Sequence, residues 1–227
     1  MISDPHPGRP ILLALLLWLL PAAAQAAPET YMARLEAALL LQTLNADLLG
    51  HDSATLTLQR WCGSHRLASP ARIVAERVRG AYQAPTEKQR QQLRVSPTEE
   101  VRYRRVKLLC GTVVLSEADN WYVPSRLTPG INQRLDTTDT PFGVAAQALN
   151  FQRHTLSAEV LWQLLPPEWE MRPPVPADAA GELCVPAQIL RHRALLTLPD
   201  GTPFSEVIET YTSEALAVPR LASLHRC

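Results

Sequence analysis

The apolar positions near the start of the chain repeat at helical spacing. The leucines that form this stripe are Leu35, Leu39, Leu40, Leu44, Leu48 and Leu49. Their spacing predicts an amphipathic helix whose apolar face packs in a core. Gly50 interrupts the pattern, and Asp52 or Ser53 can cap a second short helix that runs towards Cys62.

Stretches rich in β-branched or aromatic residues, or alternating between apolar and polar positions, predict strands. Six such stretches follow the helices, at 73–82, 101–109, 111–123, 151–165, 185–198 and 204–211. The last two are joined by Asp200-Gly201, a dipeptide that tolerates the positive φ of a hairpin turn. Short helices are predicted at 129–135 and 141–149, and the polar stretch 86–92 is predicted to be a surface loop or helical turn. Together these elements predict an α+β domain with a single antiparallel sheet of about six strands and helices packed on one side.

Length, composition and charge narrow the class of protein. The 227 residues are enough for one domain and a targeting segment. Hydrophobic residues make up 46% and charged residues 19% of the chain, which is a globular composition. Lys and Arg total 22, as do Asp and Glu, so the formal net charge is zero. Proteins that bind nucleic acid normally carry a basic surface, so we expect no nucleic-acid partner.

Residues 1–26 have the layout of a secretory signal peptide. Arg9 supplies a positive charge, an apolar run covers 11–20, and Ala24-Gln25-Ala26 offers a small-x-small cleavage site. We expect cleavage there, a mature domain at 27–227, and a periplasmic or secreted location. An uncleaved anchor is the alternative, although the run is short for a bilayer span. No other segment is apolar enough, so no stable membrane span is expected after cleavage.

The cysteines of the mature chain are Cys62, Cys110, Cys184 and Cys227. Export would expose them to oxidising conditions, so one or two disulfides are possible, and three complete pairings are open. Their wide spacing matches no zinc pattern, so no metal site is predicted. Cys110 ends an apolar strand, where a buried free thiol is expected. No histidine is given a catalytic role, and His192, between two arginines, is predicted to lie on the sheet surface.

An arginine within an apolar strand is costly to bury unless something anionic meets it, and Arg105 occupies such a position. A guanidinium grips a carboxylate through two parallel hydrogen bonds. Arg105 therefore indicates a carboxylate ligand. The alternative is a structural salt bridge between this arginine and a strand glutamate, with no ligand at all.

Five short motifs occur in a fixed order: Leu48-Leu49 with Asp52-Ser53-Ala54-Thr55, Arg105-x-x-Leu108-Leu109-Cys110, Trp121 to Pro129 with Arg126 between, Thr140-Pro141-Phe142-Gly143, and Arg191-His192-Arg193 with Gly201-x-Pro203 and Glu209. In this order they resemble the motifs of chorismate pyruvate-lyases, over most of the mature chain. That fold is also used by ligand-sensing domains of some transcription regulators. The resemblance implies a chorismate lyase-like domain at 27–227.

In the family that these motifs resemble, the enzyme removes pyruvate from chorismate and leaves 4-hydroxybenzoate, without a cofactor. The resemblance implies that Arg105 pairs with a substrate carboxylate, that Phe142 offers its backbone N–H, and that Arg126 helps to bind substrate. The glutamate beside the breaking bond is matched by Glu209, whose Glu-x-aromatic pattern favours it, or by Glu206. These two glutamates point to opposite faces, because side chains alternate along a strand.

Three functions stay open. The first is a cofactor-free lyase for chorismate or a related enolpyruvyl aromatic acid, in which Arg105 and a glutamate are catalytic and burial raises the pKa of the carboxyl so that it can hand over a proton. The second is an exported protein that binds a small aromatic carboxylate without turning it over. The third is a structural or interaction protein that keeps only the sheet. The sequence leaves the oligomeric state open.

Overall fold

The computed structural model describes residues 31–165, 167–171, 183–218, 221 and 225–226, so the predicted signal peptide lies outside the described residues. The α-helices are α1 (Tyr31–Leu49), α2 (Ala54–Ser64), α3 (Glu87–Leu93), α4 (Pro129–Thr137) and α5 (Phe142–Ala145). The strands are β1 (Ile73–Arg77), β2 (Arg102–Cys110), β3 (Val113–Tyr122), β4 (Gln152–Val160), β5 (Cys184–Val185), β6 (Gln188–Thr197), β7 (Pro203–Thr212) and β8 (His225–Arg226). Short 3-10 helices lie at Pro124–Arg126, Gln147–Leu149, Trp169–Met171 and Ser213–Leu216. Within this part of the chain, no helix is long and apolar enough to cross a membrane.

Six of the strands form one antiparallel sheet in the order β1-β2-β3-β7-β6-β4. The hairpins β2–β3 and β6–β7 supply its central strands, and the pairing of β3 with β7 joins them. The two short strands β5 and β8 pair in parallel as a separate small sheet. The prediction of an α+β domain with one antiparallel sheet of about six strands and helices on one side is confirmed.

Helices α1 and α2 pack on one face of the sheet and enclose the main core. Helix α1 buries Leu41, Leu44 and Leu48, as helical spacing predicts. Leu39 is 71% exposed, so the apolar stripe is narrower than predicted. The sheet contributes alternate residues of each strand, such as Val106 of β2, because successive side chains point to opposite faces.

The chain between β1 and β2 differs from its prediction in one respect. The predicted strand 73–82 stops at Arg77, where pairing with β2 ends. The polar stretch 86–92 forms helix α3, which begins with a capping box that satisfies its first donors. Leu93 of this helix packs with Trp121 in a small separate core. Helix α3 is thus an exception to the one-sided arrangement, because it covers one end of the sheet face that α1 and α2 leave open.

A disulfide joins Cys62 of α2 to Cys110 at the end of β2, with the Cα atoms 6.0 Å apart. The prediction of a free thiol at Cys110 is therefore wrong. Its side chain points into the main core, where the end of β2 lies against α2 and brings the second sulfur within bonding distance. Cys184 is disulfide-bonded as well, and Cys227 lies outside the described residues. The Cys62–Cys110 disulfide links the helical layer to the sheet.

Candidate binding site

A small cavity lies between the core face of the sheet and the starts of helices α2 and α5, with a volume of about 40 Å³. It is lined by one group of residues around the helix starts and by core-facing side chains of five strands: Asp52, Ser53, Ala54, Thr55, Phe142 and Gly143, and Arg104, Val106, Leu108, Ala118, Asn120, Phe151, Arg153, Leu196, Val207 and Glu209. Most of these side chains are apolar. Two arginines and a glutamate nevertheless bring three charges into a space that is largely shielded from water, and the exposed Asp52 adds a fourth charge to the lining.

Gly143 allows the starts of the two helices to meet beside the cavity. A Cβ at this position would lie 2.6 Å from Ser53 Oγ and 3.1 Å from Thr55 Oγ1. Ser53 caps α2, because its hydroxyl accepts a hydrogen bond of 3.3 Å from the N–H of Leu56. Phe142 is the first residue of α5 and is buried in the cavity wall. The first N–H groups of a helix have no partner within it, so backbone donors border the cavity here.

Arg104 is the most unusual residue of the cavity. It is only 5% exposed, and its Nη2 donates to the backbone carbonyls of Thr140 at 3.0 Å and Thr138 at 3.4 Å. Its Nε and Nη1 are buried without a hydrogen-bond partner, and no carboxylate of the described residues pairs with it. Burial lowers the pKa of Arg104 to about 10, with a smaller contribution from the nearby positive charge of Arg77. The site therefore contains a guanidinium with unused hydrogen-bonding capacity.

Glu209 lies in the same cavity and is already bound. Its Oε2 is 2.6 Å from Nη2 of Arg153, and both side chains are buried. The hydroxyl of Tyr211 donates to the same oxygen at 3.1 Å, and burial raises the pKa of this tyrosine well above its ordinary value. The Nε of Arg153 has no hydrogen-bond partner among the described residues. The pair contributes no net charge, so Arg104 supplies the unbalanced positive charge of the buried wall.

His192 lies beside this pair, directly across the strands from Glu209. Its Nε2 donates to Oδ1 of Asn45 in α1 at 2.9 Å, and its ring meets the ring of Tyr211 edge to face. The residue is fully buried, so the prediction that it lies on the sheet surface is wrong, because α1 covers this part of the sheet. Burial lowers the pKa of His192 to about 4, and the imidazole is neutral near pH 7.

Arg105 does not line the cavity. Its side chain is 41% exposed on the opposite face of the sheet. It forms an ion pair of 3.0 Å with Glu117 and lies 3.8 Å from Asp119. The hydrogen bond to Glu117 raises the pKa of Arg105, and the charge of Asp119 adds to this effect. Here the arginine takes part in a structural salt bridge between neighbouring strands, the alternative that the sequence left open.

Two other predicted site residues also lie elsewhere. Glu206 is fully buried on the other face of β7, where Arg193 pairs with it at 2.7 Å. Arg126 donates to the backbone carbonyls of Leu93, Arg94 and Pro203, so it holds the end of α3 against the sheet. Of the residues that the resemblance indicates, the structure places Phe142 and Glu209 in the cavity and leaves Arg105, Glu206 and Arg126 outside.

Sequence reasoning missed Arg104 and Arg153. The signal for Arg104 was present, because its position alternates in step with the apolar core residues Val106 and Leu108. Arg153 gave no such signal, since its partner Glu209 is distant in the sequence. Among the residues that the structure describes, no group of three or more His, Cys, Asp or Glu side chains could hold a metal ion.

The fold of this chain is similar to those of several bacterial proteins of solved structure, some of which are described as transcriptional regulators. The effector domain of PhnF from Mycobacterium smegmatis is 12% identical, with a TM-score of 0.47 over 72% of this chain and 90% of that one. A possible transcriptional regulator, YydK of Bacillus subtilis, is 15% identical with a TM-score of 0.39 over 63% of this chain and 58% of that one.

No family model matches the sequence. A relative in Sinorhizobium fredii, the uncharacterized protein y4mC, is 50% identical over 193 residues. The matched region covers 85% of this chain and 81% of that protein. This protein therefore belongs to the same family as y4mC.

Proposed function

We propose that this protein binds a small carboxylate in the cavity, with Arg104 as the principal contact. The observation that carries this proposal is the state of Arg104, whose Nε and Nη1 are buried without partners. A buried polar group that makes no hydrogen bond costs about 1–3 kcal/mol, and a charged group costs more. A carboxylate oxygen can accept a hydrogen bond from one of these two nitrogens, and the charge of the carboxylate balances that of the arginine.

The walls favour a ligand with an apolar, aromatic body. Phe142, Phe151 and Leu196 face the cavity beside the charged groups. The volume of about 40 Å³ is small and has room for only a few water-sized groups. A benzoate ring needs more room, and binding one requires the wall to move. Helix α5 is a single turn of four residues and carries Phe142, so it is the element best suited to move.

Catalysis on chorismate, or on a related enolpyruvyl aromatic acid, is the second candidate function. It is favoured by the presence of Glu209 in the same cavity as Arg104, together with the motifs that resemble chorismate pyruvate-lyases. Elimination of pyruvate moves charge onto the enolpyruvyl group, which a neighbouring carboxyl can relieve by proton transfer. In this candidate Arg104 takes the role that the resemblance gives to Arg105. The reaction needs no cofactor.

Export to the periplasm or beyond the cell is part of the proposal. Its supports are the signal-peptide pattern of residues 1–26 and the Cys62–Cys110 disulfide, a bond that persists mainly in oxidising compartments. Sequencing the N-terminus of protein recovered from a periplasmic extract tests it. Cleavage near Ala26 supports export, whereas an intact N-terminus in the cytoplasmic fraction would reject it.

Neighbouring arginines provide a matched test of the binding site. Calorimetric titration with benzoate and 4-hydroxybenzoate compares the wild type with Arg104→Gln and Arg105→Gln. Loss of one partner of a desolvated charge pair costs about 2–5 kcal/mol, so Arg104→Gln should abolish measurable binding while Arg105→Gln leaves it unchanged. Equal affinities in the two variants would reject the cavity as the site.

An assay for turnover distinguishes the two candidate functions. Purified protein at high concentration is incubated with chorismate, and 4-hydroxybenzoate and pyruvate are measured. Formation of both products in equal amounts, and its loss in Glu209→Gln, identifies a lyase. Binding of 4-hydroxybenzoate without turnover of chorismate identifies a binding protein.

A further inference from the structure

A second depression, here called the arginine groove, forms where β1 stops pairing with β2. Beyond Arg77 the chain diverges from β2, and the end of α4 closes the space between these two segments. Its volume of about 370 Å³ is several times that of the cavity. Its basic residues are Arg77, Arg79, Arg102, Arg104 and Arg105, and its acidic residues are Glu100 and Asp136. Positive charges exceed negative ones by three, in a chain whose net charge is zero.

Two of the five arginines are compensated by carboxylates. Arg102 pairs with Glu100 at 2.8 Å and with Asp136 at 2.9 Å. Arg105 pairs with Glu117 at 3.0 Å. These pairs use both acidic residues of the groove, so no carboxylate of its lining is left for the other three arginines.

The remaining three arginines have no ion pair with any carboxylate of the described residues. Arg77 donates to the backbone carbonyl of Asp136. Arg79 is exposed, and no side-chain hydrogen bond or ion pair holds it within the described part of the chain. Arg104 is buried with two unpartnered nitrogens, and the charge of Arg77 contributes to the lowered pKa of Arg104. The like charges of Arg77 and Arg104 are therefore held close together without a direct ion pair, although Asp136 and Asp139 act on Arg104 from nearby.

We propose that the arginine groove is a second ligand site, which binds a compact polyanion with two or more oxyanion groups. Guanidinium groups bind carboxylate and phosphate oxygens through the same paired hydrogen bonds. Three arginines without an ion pair match more than one such group, and pockets of a few hundred cubic ångströms are typical of small-molecule sites. Tyr82, which is 78% exposed, and Tyr103 border the groove and add apolar contact.

The test measures binding of two compact polyanions, inorganic pyrophosphate and citrate, by calorimetry. Wild type is compared with Arg79→Ala, and with Arg72→Ala as the matched control. Arg72 is also exposed but precedes β1, and at about 3.3 Å per residue the strand places it roughly 16 Å from Arg77. Saturable binding is expected, weakened about tenfold or more in Arg79→Ala and unchanged in Arg72→Ala. The tighter of the two probes identifies the oxyanion as phosphate or carboxylate.

Two results would overturn this proposal. One is the absence of saturable binding of either probe. The other is an equal loss in both variants, because this would mean general attraction to positive charge. Arg79 is exposed, so its replacement should leave the fold intact, which circular dichroism verifies. Arg79 does not line the cavity, so its replacement tests the groove by itself. If the wild type binds pyrophosphate but not benzoate, the proposed carboxylate site in the cavity is rejected and the groove proposal stands.

Discussion

Arg104 and Arg105 are adjacent in β2 but lie in opposite environments. Arg104 is 5% exposed, lines the cavity and has two nitrogens without partners. Arg105 lies on the other face of the sheet and pairs with Glu117. The difference follows from the alternation of side chains along a strand, and it separates a guanidinium available to a ligand from one that stabilises the sheet.

The first prediction is that Arg104→Met stabilises the unliganded protein and abolishes benzoate binding. An unpaired buried charge lowers stability, and replacing buried ionic groups with apolar ones of similar size is often stabilising by about 1–4 kcal/mol. We expect the free energy of unfolding to rise by about 1 kcal/mol in urea denaturation without ligand. Arg105→Met, the control, removes an exposed pair and should lower it by at most about 1 kcal/mol. A large loss of stability in Arg104→Met would show that this arginine is structural.

The second prediction concerns the contact between the starts of α2 and α5. Gly143→Ala would place a methyl group 2.6 Å from Ser53 Oγ, so the two helix starts must separate. We expect a loss of about 1–3 kcal/mol in the free energy of unfolding, together with weaker benzoate binding. Gly130→Ala in α4 is the control, since an added Cβ there meets nothing within 4 Å. Because Gly130 lies in the first turn of α4, the change should raise the free energy of unfolding by at most about 1 kcal/mol. Equal effects of the two changes would contradict the close contact.

The sequence predicted the sheet well because its strands carry local signals. The hairpin at Asp200-Gly201 and the period-two patterns are both readable over a few residues. Alternation also predicted that Glu206 and Glu209 point to opposite faces, as the structure shows. Phe142 is in the cavity because its Thr-Pro-x-Gly motif is a local turn at the start of α5.

The parts that the sequence did not reveal depend on contacts between distant segments. His192 is buried because α1 folds over it, which no pattern near residue 192 discloses. Arg153 is drawn into the core by Glu209, 56 residues away. The placement of Arg105 is a different case. Arg105 was predicted from the spacing of its motif. The alternation of apolar residues in the same strand instead favours Arg104 as the arginine that faces the core.

The third prediction is an acid-dependent loss of stability from His192. Its pKa is about 4 in the folded protein against 6.5 for the unperturbed side chain, so between these values the unfolded chain binds the extra proton. Stability from this residue is therefore full above about pH 6.5 and falls as the pH drops towards 4, by about 2–3 kcal/mol. His192→Gln keeps a donor for Asn45 but cannot titrate. Urea denaturation at several pH values should show the difference between wild type and variant shrinking towards pH 4.5, and a constant difference would contradict the assignment.

The fourth prediction is that the cavity and the arginine groove compete. Arg104 lines both, so an anion in one site reduces the positive charge available to the other. Saturating pyrophosphate should weaken benzoate binding about fivefold or more, and benzoate must weaken pyrophosphate binding by the same factor, because coupling between sites is reciprocal. Titrations in sodium chloride of matched ionic strength separate this effect from screening. In Arg79→Ala, a much higher pyrophosphate concentration should be needed to weaken benzoate binding to the same extent. Independent binding of the two anions in the wild type would show that Arg104 serves one site at most.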